Sequence, residues 1–484
     1  MPGTLHRRRR RGALLVLLGV ATLAGCATNP VTGERELALI SEEQEIAMGR
    51  QSAQEVAQTL GLVDDEALQQ YVQRVGADLA ADTERPDLPW TFRVVDDPTP
   101  NAFALPGGFI FVTRGMMTLM NSEAELASVL GHEIGHVTAR HSVQQLSRAQ
   151  LAQLGLGLGA ILAPEIAQQY GQLASTGLQL LFLKYSRDDE RQADELGFRY
   201  ALQDNYDVRE FADVFADLQR LSQSSDASPV PGFLSTHPDP GERVQTAERR
   251  VAALDRPLTN AIVDRAEYLQ QIEGLAYGQN PRNGFFRDGA FIHPDLRFRL
   301  DFPARWQTQN LPQAVVAVSP EQDAVVQLEL SPAPDAVSAA RAFLSQQGIQ
   351  AGQTFQQPIN GVPAAGSYFQ AQTEQGVVEG LAAFFTYDGH TYRLLSYAPA
   401  GRFAAYDPVA RQIIGSFRPL TDPQLLNIQP PRVAIVRITE PMTLAAFDRR
   451  YPSTVPLDEL ALINELSGPD ATLEAGTMVK RVVE

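Results

Sequence analysis

The residues His132-Glu133-Ile134-Gly135-His136 spell H-E-x-x-H. Four apart on a helix, the two imidazoles project from one face and can hold a single zinc ion, with Glu133 beside the position left open for water. The chemistry is metal-assisted hydrolysis, in which the metal acidifies water and a carboxylate takes its proton. A solvated helix carrying two surface histidines is the bland alternative, and the surrounding residues argue against it. Asn121 or Ser122 can cap a helix running to Ser142, Glu123 and Glu125 fall in its first turn, and Leu126, Val129, Leu130, Ile134 and Val137 share one side. On such a half-buried helix an unpaired Glu or His is costly, and a metal ion satisfies both.

A catalytic zinc needs a third protein ligand. The extension H-E-x-x-H-x-x-G-x-x-H fails, because Ala139 and Ser142 occupy its last two defined positions and His141 comes one residue early. A second helix pattern, Tyr185-Ser-Arg-Asp-Asp-Glu190-Arg-Gln-Ala-Asp194, places Glu190 and Asp194 on one face. Alone, that pair reads as a charged helix surface. Behind H-E-x-x-H it supplies Glu190 as third ligand and Asp194 as the carboxylate that fixes an imidazole, His132. One zinc per chain follows, with Glu133 as general base that later hands its proton to a departing amine. His141 has no partner legible in the sequence and reads as lying behind a ligand or at the surface.

Three further blocks carry a family resemblance: Asn101-Ala-Phe-Ala-Leu-Pro-Gly107-Gly108-Phe109 with the strand-like run to Thr113, the Tyr185–Asp194 block, and Ser235-Thr-His237-Pro-Asp-Pro-Gly-Glu-Arg243. Together with H-E-x-x-H they resemble the M48 (Ste24/HtpX-like) metallopeptidases over roughly residues 29–255. Asn29-Pro-Val-Thr-Gly33 and Ile40-Ser-Glu-Glu-Gln-Glu-Ile-Ala-Met-Gly49 resemble the lipid-anchored, periplasmic bacterial branch of that family. The resemblance implies a mainly helical, gluzincin-type domain with a small edge sheet, and an endopeptidase acting on unfolded or misassembled envelope polypeptides. It also implies that Phe109–Thr113 lines the cleft, with Gly107, Gly108 and Phe109 holding an extended substrate by main-chain hydrogen bonds. On strand signals alone, a core strand after a turn fits too. The resemblance places His237 at the metal, either as a donor to the oxyanion together with Arg243 or as a displaceable fourth ligand. A different class of function, a chaperone or wall-tethered assembly factor with gated proteolysis, would have no need of Glu133.

Residues 7–11 are five consecutive arginines, followed by an apolar run from Ala13 and by Leu23-Ala24-Gly25-Cys26, the chain's one cysteine. The pattern is a signal sequence of the lipoprotein kind, with Cys26 acylated and first in the mature protein. Ala27 and Thr28 behind it suggest the outer membrane. Removing the five arginines leaves 35 basic against 57 acidic residues, a net charge of −22. That balance excludes nucleic acid as a partner and adhesion to anionic lipid.

The expected organisation is α+β: signal 1–25, linker 26–42, peptidase domain 43–255, helix and linker 256–284, an α+β domain at 285–420 weakly similar to the PsbP/Mog1 type, and a small βααβ domain at 430–484. The last resembles a LysM module, with peptidoglycan as the implied partner, or is a generic cap. Leu151–Ala163 and Leu178–Leu183 are apolar but shorter than the about 20 residues that span a bilayer. They fit a lid over the cleft or a buried helix pair.

Overall fold

The computed structural model describes residues 26–153, 184–224, 233, 236–237, 240–255, 257–311, 313–373 and 376–484. The signal sequence, nearly all of the apolar 151–163 segment, and 178–183 lie outside them. No helix among the described residues is long and apolar enough to cross a membrane. The chain divides into two compact units: residues up to Gly278 together with Pro431–Glu484, and Gln279–Pro430.

The first unit opens with a hairpin, β1 (Cys26–Thr28) against β2 (Arg35–Leu37). Asn29 shapes its turn: Oδ1 accepts from the backbone of Val31 and Thr32, while Nδ2 donates to the Ala139 carbonyl at 3.2 Å. Helix α1 (Glu42–Thr59) starts at a capping box between Ser41 and Gln44, and α2 (Glu66–Ala81) at an Asp65 cap. A three-stranded sheet follows, of β3 (Thr91–Val95), β4 (Ala102–Leu105) and β5 (Phe109–Thr113), in the order β3-β5-β4. Phe109–Thr113, expected from the resemblance to hold substrate by main-chain hydrogen bonds, is instead the central strand, as the core-strand alternative has it. β5 pairs parallel with β3 on one side and antiparallel with β4 on the other, and all five residues are buried. The outer strands are β3 and β4, and β4 packs against the H-E-x-x-H helix.

Helix α3 (Arg114–Leu119) leads into α4 (Glu123–Thr138), where Ser122 caps the Glu125 N–H. Leu126, Val129, Leu130, Ile134 and Val137 join the core with Leu68, Val72 and Val75 of α2. The helix does not reach Ser142 as its pattern predicts. It stops at Thr138, Arg140 takes the left-handed conformation with φ 59°, and α5 (His141–Gln153) begins anew. Helices α6 (Arg187–Gln203), α7 (Glu210–Ser224), α8 (Pro240–Ala252) and α9 (Arg265–Gln271) complete this part.

The second unit holds a four-stranded sheet, β16-β8-β7-β6, from β6 (Phe285–Arg287), β7 (Ala290–His293), β8 (Phe298–Asp301) and β16 (Arg418–Pro419). Its larger sheet is seven-stranded and antiparallel, β12-β13-β14-β15-β11-β10-β9, from β9 (Gln307–Asn310), β10 (Val315–Val318), β11 (Val325–Ser331), β12 (Ile349–Gln356), β13 (Ala364–Thr373), β14 (Gly376–Tyr387) and β15 (His390–Pro399). Helices α10 (Ala336–Leu344) and α11 (Phe403–Ser416) pack on it.

The chain then returns to the first unit as strand, helix, helix, strand. Strand β17 (Arg432–Arg437) pairs with β20 (Met478–Val483), and β18 (Met442–Thr443) with β19 (Thr472–Leu473), around α12 (Leu444–Arg450) and α13 (Leu457–Ile463). Lys480 on β20 is fully buried and donates from Nζ to the carbonyls of Thr118, Leu119 and Met120 at 3.0, 2.9 and 2.9 Å. A cation at these last carbonyls of α3 satisfies groups the helix cannot, immediately before the cap of α4.

Candidate metal centre

The centre is assembled by two helices in backbone contact. A Cβ on Gly197 of α6 would sit 2.7 Å from the His132 nitrogen, and one on Gly135 of α4 would sit 2.9 Å from the Ala193 carbonyl oxygen. Only glycine admits this approach. It brings the Glu190–Asp194 face of α6 against the two histidines of α4.

His132, His136, Glu190 and His237 each present a ligand atom, all within 4.8 Å of one another. His132 Nε2 and His136 Nε2 are 3.0 Å apart, and His237 Nδ1 lies 3.2 Å from His132 Nε2 and 3.0 Å from Glu190 Oε1. All four side chains are buried, so imidazole nitrogens and a carboxylate converge where water hardly reaches. Histidine and carboxylate donors in this number suit zinc. Glu133, at 0% exposure, has no hydrogen-bond partner on either carboxylate oxygen, and Oε1 is 3.6 Å from His237 Nε2. A buried carboxylate without donors is costly for a fold unless it faces a reacting group. The residues fit the metal and a water beside it.

Behind the ligands stands a buried ionic chain. His132 Nδ1 is 2.8 Å from Asp194 Oδ1, and Arg243 of α8 donates to both Asp194 oxygens, from Nε at 3.0 Å and Nη2 at 2.6 Å. Burial pushes the Asp194 carboxyl up, but Arg243 and His132 overcome it and hold it well below its ordinary value. Burial raises Glu133 against the pull of the His237 and His132 charges. His136 is held well below the ordinary imidazole value by burial and by His132. Two of the three Arg243 nitrogens are committed to Asp194, Nη1 is buried without a hydrogen-bond partner, and the guanidinium lies 4.0 Å from the Phe215 ring centroid.

His237 closes a turn, its N–H bonded to the Phe233 carbonyl at 2.8 Å and its ring stacked on Phe233 at 4.6 Å, just before α8. Gly107 and Gly108 do not join the cluster. Both have positive φ, and a Cβ on Gly107 would meet Ile46 Cα of α1 at 2.7 Å, so the backbone they admit is the chain's own. Phe109 begins the central strand. Cys26 lies in β1, three residues before the Asn29 anchor.

Two neighbours, Tyr185 and His141, had no site role assigned from the sequence. Tyr185, seen only as part of a motif, stacks on His136 at 3.9 Å with its hydroxyl 2.8 Å from Ser142 Oγ. His141 is 1% exposed and has two partners, His136 Nδ1 at 2.9 Å and Gln192 Oε1 at 2.9 Å. The surface alternative for His141 falls with that burial.

The sequence profile of peptidase family M48 matches residues 66–251. A beta-barrel assembly-enhancing protease of Yersinia pestis is 32% identical over 230 residues, 46% of this chain and 46% of that protein. The mitochondrial metalloendopeptidase OMA1 of Schizosaccharomyces pombe is 30% identical over 241 residues, 49% of this chain and 70% of that protein. The chain spans about half the length of the Yersinia relative. Among solved structures, a cyanobacterial PsbP from Synechocystis aligns with a TM-score of 0.23 at 15% identity, covering 27% of this chain and 91% of that one.

Proposed function

The chain belongs to peptidase family M48, and from that premise we propose that it is a zinc endopeptidase of the bacterial cell envelope that removes misfolded or misassembled envelope proteins. The observation that carries the reading is Glu133, buried without a partner beside the convergent His132, His136 and Glu190. A pure binding module gains nothing from it, which sets the chaperone reading aside.

His132, His136 and Glu190 would hold the zinc, whose charge acidifies water and polarises a scissile carbonyl. Glu133, raised by burial, takes the proton of the attacking water and delivers it to the departing amine. Asp194 keeps the His132 proton on Nδ1 and so leaves Nε2 free for the metal, and Arg243 acts through Asp194. The unpaired edge of β4 takes the role first given to Gly107, Gly108 and Phe109, pairing with an extended stretch of substrate backbone. His237 rests as a displaceable fourth ligand. His237→Ala should then cleave an unfolded substrate faster than wild type, whereas a fall in kcat of about a hundredfold or more would make it the oxyanion donor.

Cys26 is proposed to carry lipid and to fix the protein to the outer membrane, facing the periplasm. Mass spectrometry of the mature N-terminus, with Cys26→Ser as control, tests this. Peptidoglycan as a further partner rests on the strand-helix-helix-strand order of residues 432–483, and co-sedimentation with purified cell wall tests it. For the function as a whole, the envelope proteome with wild type should lack species that accumulate with Glu133→Gln. Identical proteomes would overturn the quality-control reading.

A further inference from the structure

We infer that His141 is the positioning residue of His136: a break in the active-site helix turns it back on the ligand, where it fixes the ligand's tautomer and orientation. The inference rests on His136 being a metal ligand and goes beyond that assignment.

On an unbroken α-helix, residues five apart point about 140° away from each other, and their rings cannot meet. Here they do. The helix ends at Thr138, Arg140 turns through φ 59°, and His141 starts the next helix with its Nδ1 2.9 Å from His136 Nδ1. A non-glycine residue in this conformation needs support from its surroundings. Arg140 receives it from Glu45, which accepts from Nε at 3.0 Å, and from the Ile40 carbonyl, which accepts from Nη2 at 3.1 Å. The Ala139 carbonyl beside it accepts from Asn29 at 3.2 Å and Gln144 at 3.1 Å. The break is therefore locked by α1, α5 and the N-terminal hairpin.

Two Nδ1 atoms at 2.9 Å share one proton, and the metal side decides which holds it. His136 Nε2 is the atom turned to the other ligands, 3.0 Å from His132 Nε2 and 3.5 Å from Glu190 Oε1, so its proton sits on Nδ1 and donates to His141. The His141 proton then sits on Nε2 and donates to Gln192 Oε1 at 2.9 Å, with Asp189 Oδ1 3.8 Å away. Gln192 lies two residues after Glu190 on α6. The relay from His136 through His141 to Gln192 parallels that from His132 to Asp194 and Arg243, but its acceptor is a neutral imidazole where the other has a carboxylate. The two histidine ligands are held by unlike partners.

The test uses the whole chain and reads zinc affinity by chelator competition, together with the visible spectrum of the cobalt-substituted protein. His141→Phe should weaken zinc binding by about 10–100-fold and shift the cobalt bands, with His141→Asn, which keeps an acceptor, recovering part of both. Gln192→Leu should move both readouts the same way by a smaller factor, and it stands in if His141→Phe does not fold. Wild-type affinity and spectrum in His141→Phe and Gln192→Leu, with zinc lost in His136→Ala, would overturn the inference and leave the ligand assignment intact. Zinc retained in His136→Ala would overturn the assignment itself.

Discussion

The two units fill their cores with different chemistry. Among the described residues, the buried polar side chains of the inserted unit are all hydroxyls: Ser319, Ser367, Thr391 and Ser396. The unit built from the N-terminal and C-terminal segments buries Glu45, Arg85, Arg114, Glu125, Glu133, Glu190, Asp194, Asp217, Arg243 and Lys480, besides its histidines. The hydroxyls in that core answer local backbone needs; Ser319 Oγ, for one, accepts from the Ala324 N–H at 3.0 Å. A core that carries ions lowers its own stability unless each ion is matched, and so marks where charge is wanted. The contrast places the buried charges of the described residues in the unit that holds the metal centre, without reference to any relative.

The contrast breaks first at Glu133. Its replacement by Gln should leave one metal per chain and lower kcat by about 10²–10⁴-fold, measured on an unfolded polypeptide beside metal analysis. Turnover that survives would mean the buried charge does no chemistry. Lys480→Met leaves three carbonyls and the nearby Glu125 and Glu465 without their cation, and should destabilise the peptidase unit by about 3–5 kcal/mol in denaturant unfolding. Asp194→Asn should weaken zinc retention about 10–100-fold, since Asn cannot hold the His132 proton as a carboxylate does.

A smaller effect concerns acidity. Burial, with Glu465 close by, pushes Asp217 up to about 7 despite Arg220 at 3.3 Å. Because the folded value exceeds the unfolded one, the stabilising contribution is complete below about pH 4 and disappears as pH rises through about 7. Stability measured from pH 5 to 8 should therefore fall, and Asp217→Asn should flatten that slope. The smallest change belongs to the insert, where Ser319→Ala should cost about 1 kcal/mol and leave zinc affinity and turnover untouched.

The ligand helix and the Glu190–Asp194 face were legible because both depend on helical spacing alone. His141 was not, since its place depends on a left-handed turn at an arginine, where the sequence offers no glycine to announce it. The apolar run Phe109–Thr113 shows that a strand is buried but not who its neighbours are, so a central strand passed for one that holds substrate. In the insert, β10 reads directly from its valines, whereas β12, largely exposed and rich in Gln, has too little buried apolar alternation to reveal it. The pairing of Arg243 with Asp194 is not legible because the two lie on different helices.

Lys480 also sets a timetable. The peptidase unit takes in residues that follow the whole of Gln279–Pro430, and the turn leading into the metal-binding helix gains three hydrogen bonds from one of their side chains. Closing a chain over so long an insertion adds little at equilibrium, about 0.6 kcal/mol per doubling of loop length. In a chain emerging from its N-terminus, however, the histidines arrive early and their brace arrives late. In a chain assembled in that order, the turn before the metal-binding helix waits for a strand made after the whole insert.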